Sequence, residues 1–164
     1  MSFDYTLDFK NINFREQPEL YRIGKGEQGV LLVEPYKSEI LPFWRFKNPE
    51  IARQSVDHIF NMFQEYLDQG DLVGADMARK FIQMGYTRAR RYANHKSGQK
   101  YRHNPQLAAS KEEEKIARKV YLLPNTEDPL KAAAALIFKE KWQEAKENKK
   151  YLALKAEHLQ KYGK

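Results

Sequence analysis

Two amphipathic segments that follow each other across a single glycine constrain the fold more than any other feature of this sequence. The first opens with Asn48–Glu50, which is typical of a helix start. An asparagine side chain caps backbone amides, proline fits the first turn, and an acid complements the helix dipole. Apolar residues then recur at helical spacing from Ile51 to Leu67. The helix is predicted to end at about Gln69, with Gly70 as its stop.

A second helix is predicted over about residues 72–92, with Asp71 as its cap. Its apolar residues fall on one side, around Phe81. Gly74 and Gly85 lie nearly in line, where another helix could pack closely. Because the connection between the two helices is so short, we expect an antiparallel helical hairpin.

The sequence before the hairpin shows no sustained period. Residues 1–20 are interpreted as an irregular arm whose aromatic side chains pack on the core. Val30–Val33, a β-branched and apolar run between glycines and Pro35, predicts one short strand or an extended buried segment. Residues 40–46 are predicted to form a hydrophobic loop, because Pro42 disfavours a helix there.

The sequence after the hairpin predicts more helix. A short helix over about residues 110–121 begins with a capping box formed by Ser110 and Glu113. A long helical region is predicted over about residues 126–161, with a candidate break near Asn148.

Together these segments predict a mainly α fold. It consists of an antiparallel helical hairpin plus a long C-terminal helix, with an irregular N-terminal region that holds at most a short strand or hairpin. The 164 residues fit one domain, and the hydrophobic fraction of 41% supplies one ordinary core. We divide the predicted domain, residues 1–164, into an arm (1–20), a core module (21–125) and a C-terminal helical region (126–164).

Composition excludes several classes of function. The chain has no cysteine, which excludes disulfides, thiolate metal sites and cysteine nucleophiles and fits a reducing compartment. The longest apolar run, Ala132–Phe138, is far shorter than the roughly 20 residues of a membrane helix. Met1–Lys10 carries Asp4 and Asp8 and lacks the basic start and apolar stretch of a secretory signal. We therefore expect a cytoplasmic protein with no membrane segment.

The net charge of +7 is concentrated in one stretch of the chain. Met77–Lys111 contains no Asp or Glu but nine Lys and Arg residues, whereas the rest of the chain holds 20 basic and 22 acidic residues. A domain that needs charge only for solubility more often intersperses the two signs. The segregation therefore favours an anionic partner for this stretch.

Arginines, lysines and tyrosines alternate between Gly85 and His103. Guanidinium groups present rigid forks of donors to phosphates, and aromatic faces stack on nucleotide bases. We therefore predict a noncatalytic nucleic-acid-binding protein, with DNA and RNA not distinguished. Its sequence specificity should be low, because no recognised base-reading module is present. The predicted phosphate-binding residues are Lys25, Arg79, Lys80, Arg88, Arg90, Arg91, Lys96, Lys100 and Arg102, and the predicted base-stacking residues are Tyr86, Tyr92 and Tyr101.

A plainer interpretation of the basic residues is that a helix C-terminus favours cations and leads into a solvated loop. This interpretation accounts for residues 88–91 but not for the extension to Arg102.

Arg88 lies away from the other cations of the second helix, so it either snorkels past the core edge or makes a buried ion pair. A helical wheel places a polar stripe about three turns long opposite Phe81: Arg79, Lys80, Gln83, Thr87, Arg90 and Arg91.

Gly24–Gly29 matches the pattern G-x-G-x-x-G. A dinucleotide site needs a strand before this pattern and a helix after it, but an extended segment and Pro35 follow here, so that interpretation fails. The kinase-like interpretation fails too, because no matching catalytic loop or metal-binding triplet follows. A plain hairpin turn is favoured, although its amides and Lys25 could help to bind a phosphate.

No catalytic or metal site is predicted, and no cofactor. The four histidines lack metal-ligand spacing, and the two in the polar loop, His95 and His103, are interpreted as solvent-facing. No pair of acids stands out as a general acid and base. Glu27 and Glu34, beside the glycine turn, are interpreted as charge partners of a nearby arginine.

Three runs of the sequence resemble a known family: Tyr21–Leu31, Glu34–Pro42 and Gly74–His95. The family consists of small microbial and viral proteins catalogued as a domain of unknown function, and the resemblance covers about residues 20–103. It implies no activity, cofactor or catalytic residue. It does imply that three segments belong to one module: Gly24–Gly29, here called the glycine turn, the Tyr36–Pro42 loop, and the predicted helix over about residues 72–92, here called the arginine helix.

Two alternative functions stay open. One is an enzyme or sensor for a small phosphorylated ligand, in which Lys25, the turn amides and Arg88 or Arg91 converge on one pocket. The other is a protein-interaction module whose basic face docks an acidic protein partner. The sequence leaves open whether the glycine turn lies beside the arginine helix, and this placement bears on the choice.

Overall fold

A computed structural model describes residues 2–95, 99–123 and 127–163 of the chain. The fold of these residues is mainly α, as predicted, and the sole β pairing among them is an isolated antiparallel bridge between Tyr101 and Leu122. Within the same residues, no helix is both long and apolar enough to cross a membrane. The helices are α1 (Tyr36–Ile40), α2 (Pro49–Asp68), α3 (Leu72–Asn94), α4 (Lys111–Val120), α5 (Pro129–Glu147) and α6 (Lys149–Tyr162).

The predicted antiparallel hairpin is formed by α2 and α3, and its caps are those that the sequence indicates. The Asn48 side chain accepts a hydrogen bond from the amide of Ile51 at 2.9 Å. Asp71 accepts one from the amide of Gly74 at 3.0 Å. Each cap satisfies an amide that the helix itself leaves without a partner, so both helix starts are fixed locally.

The first half of α3 is the centre of the molecule. Every residue from Leu72 to Ile82 is buried, because α1, α2, α5 and α6 all pack against this helix. Further along, Gly85 lies against the ring of Phe138 from α5, and a Cβ atom at Gly85 would lie 2.2 Å from that ring. The predicted role of Gly85 in close helix packing is therefore confirmed.

The C-terminal region is two helices rather than one, with the break at Asn148 where it was predicted. The Asn148 side chain accepts a hydrogen bond from the amide of Tyr151 at 3.0 Å and so caps α6. The change of direction brings Tyr151 into the core, where its hydroxyl donates to Asp76 at 2.6 Å. α6 is thereby fixed to α3 by a polar contact as well as by packing.

Neither alternative predicted for Val30–Val33, a short strand or an extended buried segment, is found. This stretch belongs to consecutive turns, in which the amide of Val30 donates to the carbonyl of Glu27 at 3.2 Å and that of Leu32 to Gly29 at 3.0 Å. A hairpin is absent for the same reason: no strand of the described residues pairs with this segment. Gly29 has a φ of 76°, and any Cβ there would collide with the ring of Phe3, which covers the turn.

The loop predicted around Pro42 also differs from the structure. The short helix α1 ends just before it, and Leu41–Phe43 forms one 3₁₀ turn. Pro42 is accommodated because it lies at the start of that turn, where no intrahelical amide bond is lost. The predicted loop is therefore confined to residues 44–46, while Ile40 belongs to α1.

A charged cluster lies in the middle of the apolar core. Asp76 on α3 is completely buried and accepts hydrogen bonds from the hydroxyls of Tyr21 and Tyr151. Arg79 adds two more to the same carboxylate, from Nε at 3.1 Å and from Nη2 at 2.6 Å. Lys80 lies 3.7 Å from its second oxygen. Five side chains from three parts of the chain thus form one polar network, here called the Asp76 cluster.

The two cations of the Asp76 cluster also hold the glycine turn. Arg79 donates from Nη1 to the carbonyl of Gly26 at 2.5 Å, and Lys80 donates from Nζ to the carbonyl of Gln28 at 2.6 Å. The Lys80 ammonium lies 4.9 Å from the centre of the Tyr21 ring, within range of a cation–π contact. Side chains that bond backbone carbonyls in this way fix the turn against α3.

The prediction of an exposed basic stripe is therefore wrong at its N-terminal end. Arg79 is 7% exposed and Lys80 is 0% exposed. At this end of α3 the polar face opposite Phe81 does not reach solvent. It is covered by Phe3, Tyr21 and the glycine turn, and its charges are satisfied by Asp76 and by backbone carbonyls.

The network changes the pKa of its members. Burial alone would raise the pKa of Asp76, but the charges of Arg79 and Lys80 together with the hydrogen bonds from Tyr151 and Tyr21 oppose it and lower the pKa to about 2. For Lys80, burial dominates and lowers the pKa to about 8, against the opposing attraction of Asp76. Burial also raises the pKa of Tyr21, so its hydroxyl remains a donor.

Replacing Asp76 with Asn should destabilise the protein by about 3 kcal/mol, because it leaves Arg79 and Lys80 buried without a counter-charge. Denaturant titration at neutral pH measures this change in the free energy of unfolding. The matched control is Asp57→Asn on the exposed face of α2, for which we expect a change within about 0.5 kcal/mol. Equal stability of the two variants would contradict a structural role for the Asp76 cluster.

The stability difference between wild type and Asp76→Asn should shrink in acid. Asp76 in the unfolded chain binds a proton near the ordinary value of 3.8, whereas in the folded protein it stays ionised down to about 2. Its contribution is therefore complete above pH 3.8 and is lost as the pH falls towards 2, by about 2 kcal/mol. Unfolding curves of both proteins between pH 5 and pH 2 measure it, and parallel curves would contradict it.

Candidate functional site

The second half of α3 leaves the core with one apolar edge still buried. Gly85, Ala89 and Ala93, spaced four residues apart, face inward, and the small side chains let the helix lie close to its neighbours. Arg88 and Arg91, which lie between these positions, are exposed. The second half of α3 is therefore held by its buried edge while its cations point towards solvent.

A cleft of about 460 Å³ lies beside these cations. The glycine turn forms part of it, because the hydroxyl of Thr87 on α3 bonds the Glu27 carboxylate at 3.1 Å. The turn and the arginine helix are thus neighbours in space. The residues that line this first cleft are Glu27, Thr87, Arg88, Arg90, Arg91, Asn94, His95 and Lys100.

A second cleft of about 350 Å³ continues from the first and shares Arg91 and Lys100 with it. Its other lining residues run from Gln99 to Pro105 and include Arg102, with no carboxylate among the lining residues that the structure describes. Two backbone bonds close this segment at its base: Arg102 donates to Tyr121 at 2.7 Å, and Leu123 donates to Lys100 at 2.9 Å. We call the two clefts together the basic groove.

The cations of the basic groove are largely uncompensated. Within the described residues, no ion pair or side-chain hydrogen bond engages Arg88, Arg91 or Arg102. Arg90 is the exception, since its guanidinium bonds Glu127 at 2.8 Å and the Asn94 amide oxygen at 2.6 Å. An exposed guanidinium without a partner keeps its donors available for an incoming anion.

Glu27 is the one carboxylate among the described residues lining the first cleft. Partial burial raises its pKa, while the hydrogen bond from Thr87 and the charge of Arg88 oppose that rise. The charge of Arg88 acts on Glu27 as predicted, but among the described residues no ion pair joins the two, and Glu34 is bonded by Ser38 instead of an arginine. Arg88 itself is exposed, so the alternative of a buried ion pair for it is wrong.

His95 follows the end of α3 and lines the first cleft. Its side chain is only 6% exposed, and its Nδ1 has no hydrogen-bond partner among the described residues. The interpretation of His95 as a solvent-facing loop residue is therefore wrong. The sequence held no signal for its burial, because His95 lies one residue beyond the helix, where helical periodicity no longer says which way a side chain points.

The three tyrosines predicted to stack on bases lie in different places. Tyr86 stacks on Trp142 of α5 at 6.1 Å, and Tyr92 packs against Phe46 at 5.7 Å. Neither of them lines the basic groove. Tyr101 lines the second cleft, where a hydrogen bond from Arg118 lowers the pKa of its hydroxyl. Among the three, only Tyr101 is placed to contact a ligand in the groove.

The predicted phosphate-binding residues also separate into groups. Arg79 and Lys80 lie in the Asp76 cluster, and Lys25 is exposed on the glycine turn outside the groove lining. Lys96 falls outside the described residues. The members that the structure brings together are Arg88, Arg90, Arg91, Lys100 and Arg102. Across the described ranges, no group of three potential metal ligands occurs.

Comparison with known proteins identifies the family of the chain. No curated protein and no solved structure shows a significant match. A family model described as Domain of unknown function (DUF4385) matches residues 4–161, so it includes the Asp76 cluster, the basic groove and both C-terminal helices. Because this match spans nearly the whole sequence, the chain belongs to the DUF4385 family.

Proposed function

We propose that this protein binds nucleic acid through the phosphate backbone, without catalysis and with low sequence preference. The observation that supports this most is the continuity of the basic groove. Two clefts share Arg91 and Lys100, so their cations form one path rather than two separate sites. A path of cations suits a polymer of phosphates better than it suits a single small anion.

The charges along the groove support the same proposal. Arg88, Arg91 and Arg102 have no protein partner among the described residues, and the second cleft has no carboxylate in its described lining. Arg79, which stabilises the core, is by contrast paired with Asp76. Neutralising phosphates instead releases the counterions of the nucleic acid, which gives binding a strong dependence on salt.

Low sequence preference follows from the shape of the groove. Arginines on the side of a helix and on a short closed segment reach phosphates, whereas base reading needs side chains inserted into a nucleic-acid groove. Tyr101 is the one aromatic residue of the three predicted that lines the basic groove, where Lys100 and Arg118 already lie within cation–π range of its ring.

A small phosphorylated ligand is the second candidate function. It is favoured by the first cleft alone, whose described lining brings three arginines and Lys100 together around one space. Lys25, which that interpretation placed in the pocket, does not line the cleft. The two candidates differ in the probe they need: a polymer for the whole groove, and a mononucleotide for the first cleft.

Replacing Arg91 and Arg102 with alanine together should weaken binding to single-stranded DNA or RNA by tenfold or more at low salt. Each lost phosphate contact should also reduce the slope of log affinity against log salt by about 0.7. Fluorescence anisotropy over a salt series measures both quantities. The matched control replaces Arg53 and Lys149, which are exposed but lie outside the groove lining, and should leave the affinity within twofold.

Equal loss in the two double variants would mean that binding depends on net charge and not on the groove. Failure of the wild-type protein to bind DNA or RNA at low salt would contradict the proposed function. Circular dichroism of each variant checks that the helices are intact.

Replacing Glu27 with Gln should strengthen binding. Glu27 places a negative charge in the first cleft, and removing one like charge at a partly exposed site contributes up to about 1 kcal/mol, or roughly threefold to fivefold in affinity. The amide still accepts the hydrogen bond from Thr87, so the turn should keep its position. The same anisotropy assay measures the gain, and unchanged affinity would show that the ligand does not enter the first cleft.

A further inference from the structure

The helix α4 carries an apolar side that the rest of the described chain leaves uncovered. All ten residues of α4 are described, and none of them is buried. The main packing partner of this helix is the single 3₁₀ turn Pro105–Leu107. Ile116 is 63% exposed, Val120 is 58% exposed and Leu107 is 83% exposed. Exposed apolar side chains that lie together mark interaction surfaces.

These three side chains line one cleft of about 420 Å³, which lies between α4 and the segment before it. Among the described lining residues there is one carboxylate, that of Glu113, and no lysine or arginine. The cleft therefore differs in chemistry from the basic groove, and it suits the apolar side chains of a protein partner. We call the exposed side chains of Leu107, Ile116 and Val120, with this cleft, the α4 face.

The charges of α4 run from acidic to basic along the helix. Glu112, Glu113 and Glu114 lie in the first turn, and Arg118 and Lys119 lie in the last. This order complements the dipole of the helix within one chain. It also makes the helix complementary to a copy of itself that is turned end for end.

Two of these charges flank the apolar side without an ion-pair partner among the described residues. Arg118 pairs with Glu114 of its own helix at 2.6 Å, whereas Glu112 and Lys119 form no such pair. Glu112 lies four residues before Ile116, and Lys119 lies three residues after it. Residues at these spacings are neighbours on a helix surface, so both charges adjoin Ile116.

A second copy of the chain is the partner that this arrangement fits. When two copies of α4 lie antiparallel, Glu112 of each copy faces Lys119 of the other, and the two Ile116 side chains meet between them. A twofold interface uses the same patch on both subunits, so that patch must be complementary to itself. A partner of one charge sign, acidic or basic, would instead be repelled by one end of α4.

We propose that the protein forms a homodimer through the α4 face, with the two α4 helices antiparallel across a twofold axis near Ile116. The dimer goes beyond the proposed function, and its formation requires no nucleic acid. Residues 103–105 line both the cleft of the α4 face and the second cleft of the basic groove. The dimer therefore brings a basic groove of each copy up to one shared interface.

Sedimentation velocity of the protein alone tests the dimer over about a hundredfold range of concentration, because association depends on concentration by mass action. The wild type should change from monomer to dimer within this range, and Ile116→Glu should remain a monomer. The matched control is Leu136→Glu on α5, which is also exposed and lies outside the α4 face, and which should dimerise like the wild type. A monomeric wild type would overturn the proposal and leave the α4 face to a different apolar partner. An Ile116→Glu variant that dimerises like the wild type would overturn the placement of the interface.

Charge reversals test the antiparallel arrangement. Glu112→Lys and Lys119→Glu should each weaken self-association by about tenfold, because each change opposes like charges at both ends of the interface. An equimolar mixture of the two variants should associate as tightly as the wild type, since every opposed pair then has opposite signs. The mixture also controls for effects on α4 itself, because each chain carries the same substitution alone and in the mixture. Equal association of the mixture and of each variant alone would overturn the pairing of Glu112 with Lys119.

Discussion

The rest of the structure depends on one buried carboxylate. Asp76 is bonded by Tyr21 from the N-terminal segment and by Tyr151 from α6, and its two cations hold the carbonyls of the glycine turn. A buried charge is tolerated only where its partners are in place, so these segments have one arrangement that satisfies Asp76. The same arrangement brings Glu27 beside Thr87. The wall of the first cleft is thus a consequence of the core network.

Much of the fold could be predicted because its signals are local. The caps of α2 and α3, the short connection between them and the break at Asn148 each depend on a few neighbouring residues. An asparagine or aspartate at a helix start acts through amides two or three positions away, whatever the rest of the chain does. The mainly α class followed from these signals and from helical periodicity together.

The predictions that failed concern contacts between residues distant in sequence. A polar helix face is normally solvated, so Arg79 and Lys80 were assigned to the surface, and nothing near them shows that residues 3–28 fold over that face. Val30–Val33 has strand composition but no partner strand, and it forms turns. Of the groove, the arginines of α3 and the cations beyond it were predictable from charge segregation. Their approach to the glycine turn and the burial of His95 were not.

The continuity of α3 has a consequence for the way the groove is encoded. Its first half is fixed in rotation by Asp76, and the helix runs without interruption into the half that carries Arg88 and Arg91. Each inserted or deleted residue between Ile82 and Arg88 would turn the second half by about 100° about the helix axis. The arginines would then face away from Lys100, although every core contact of the first half survived. The rotational position of the second half of α3 therefore specifies the groove as much as the identity of its cations does. A single cation of the groove can be exchanged more readily than the number of residues in α3 can change.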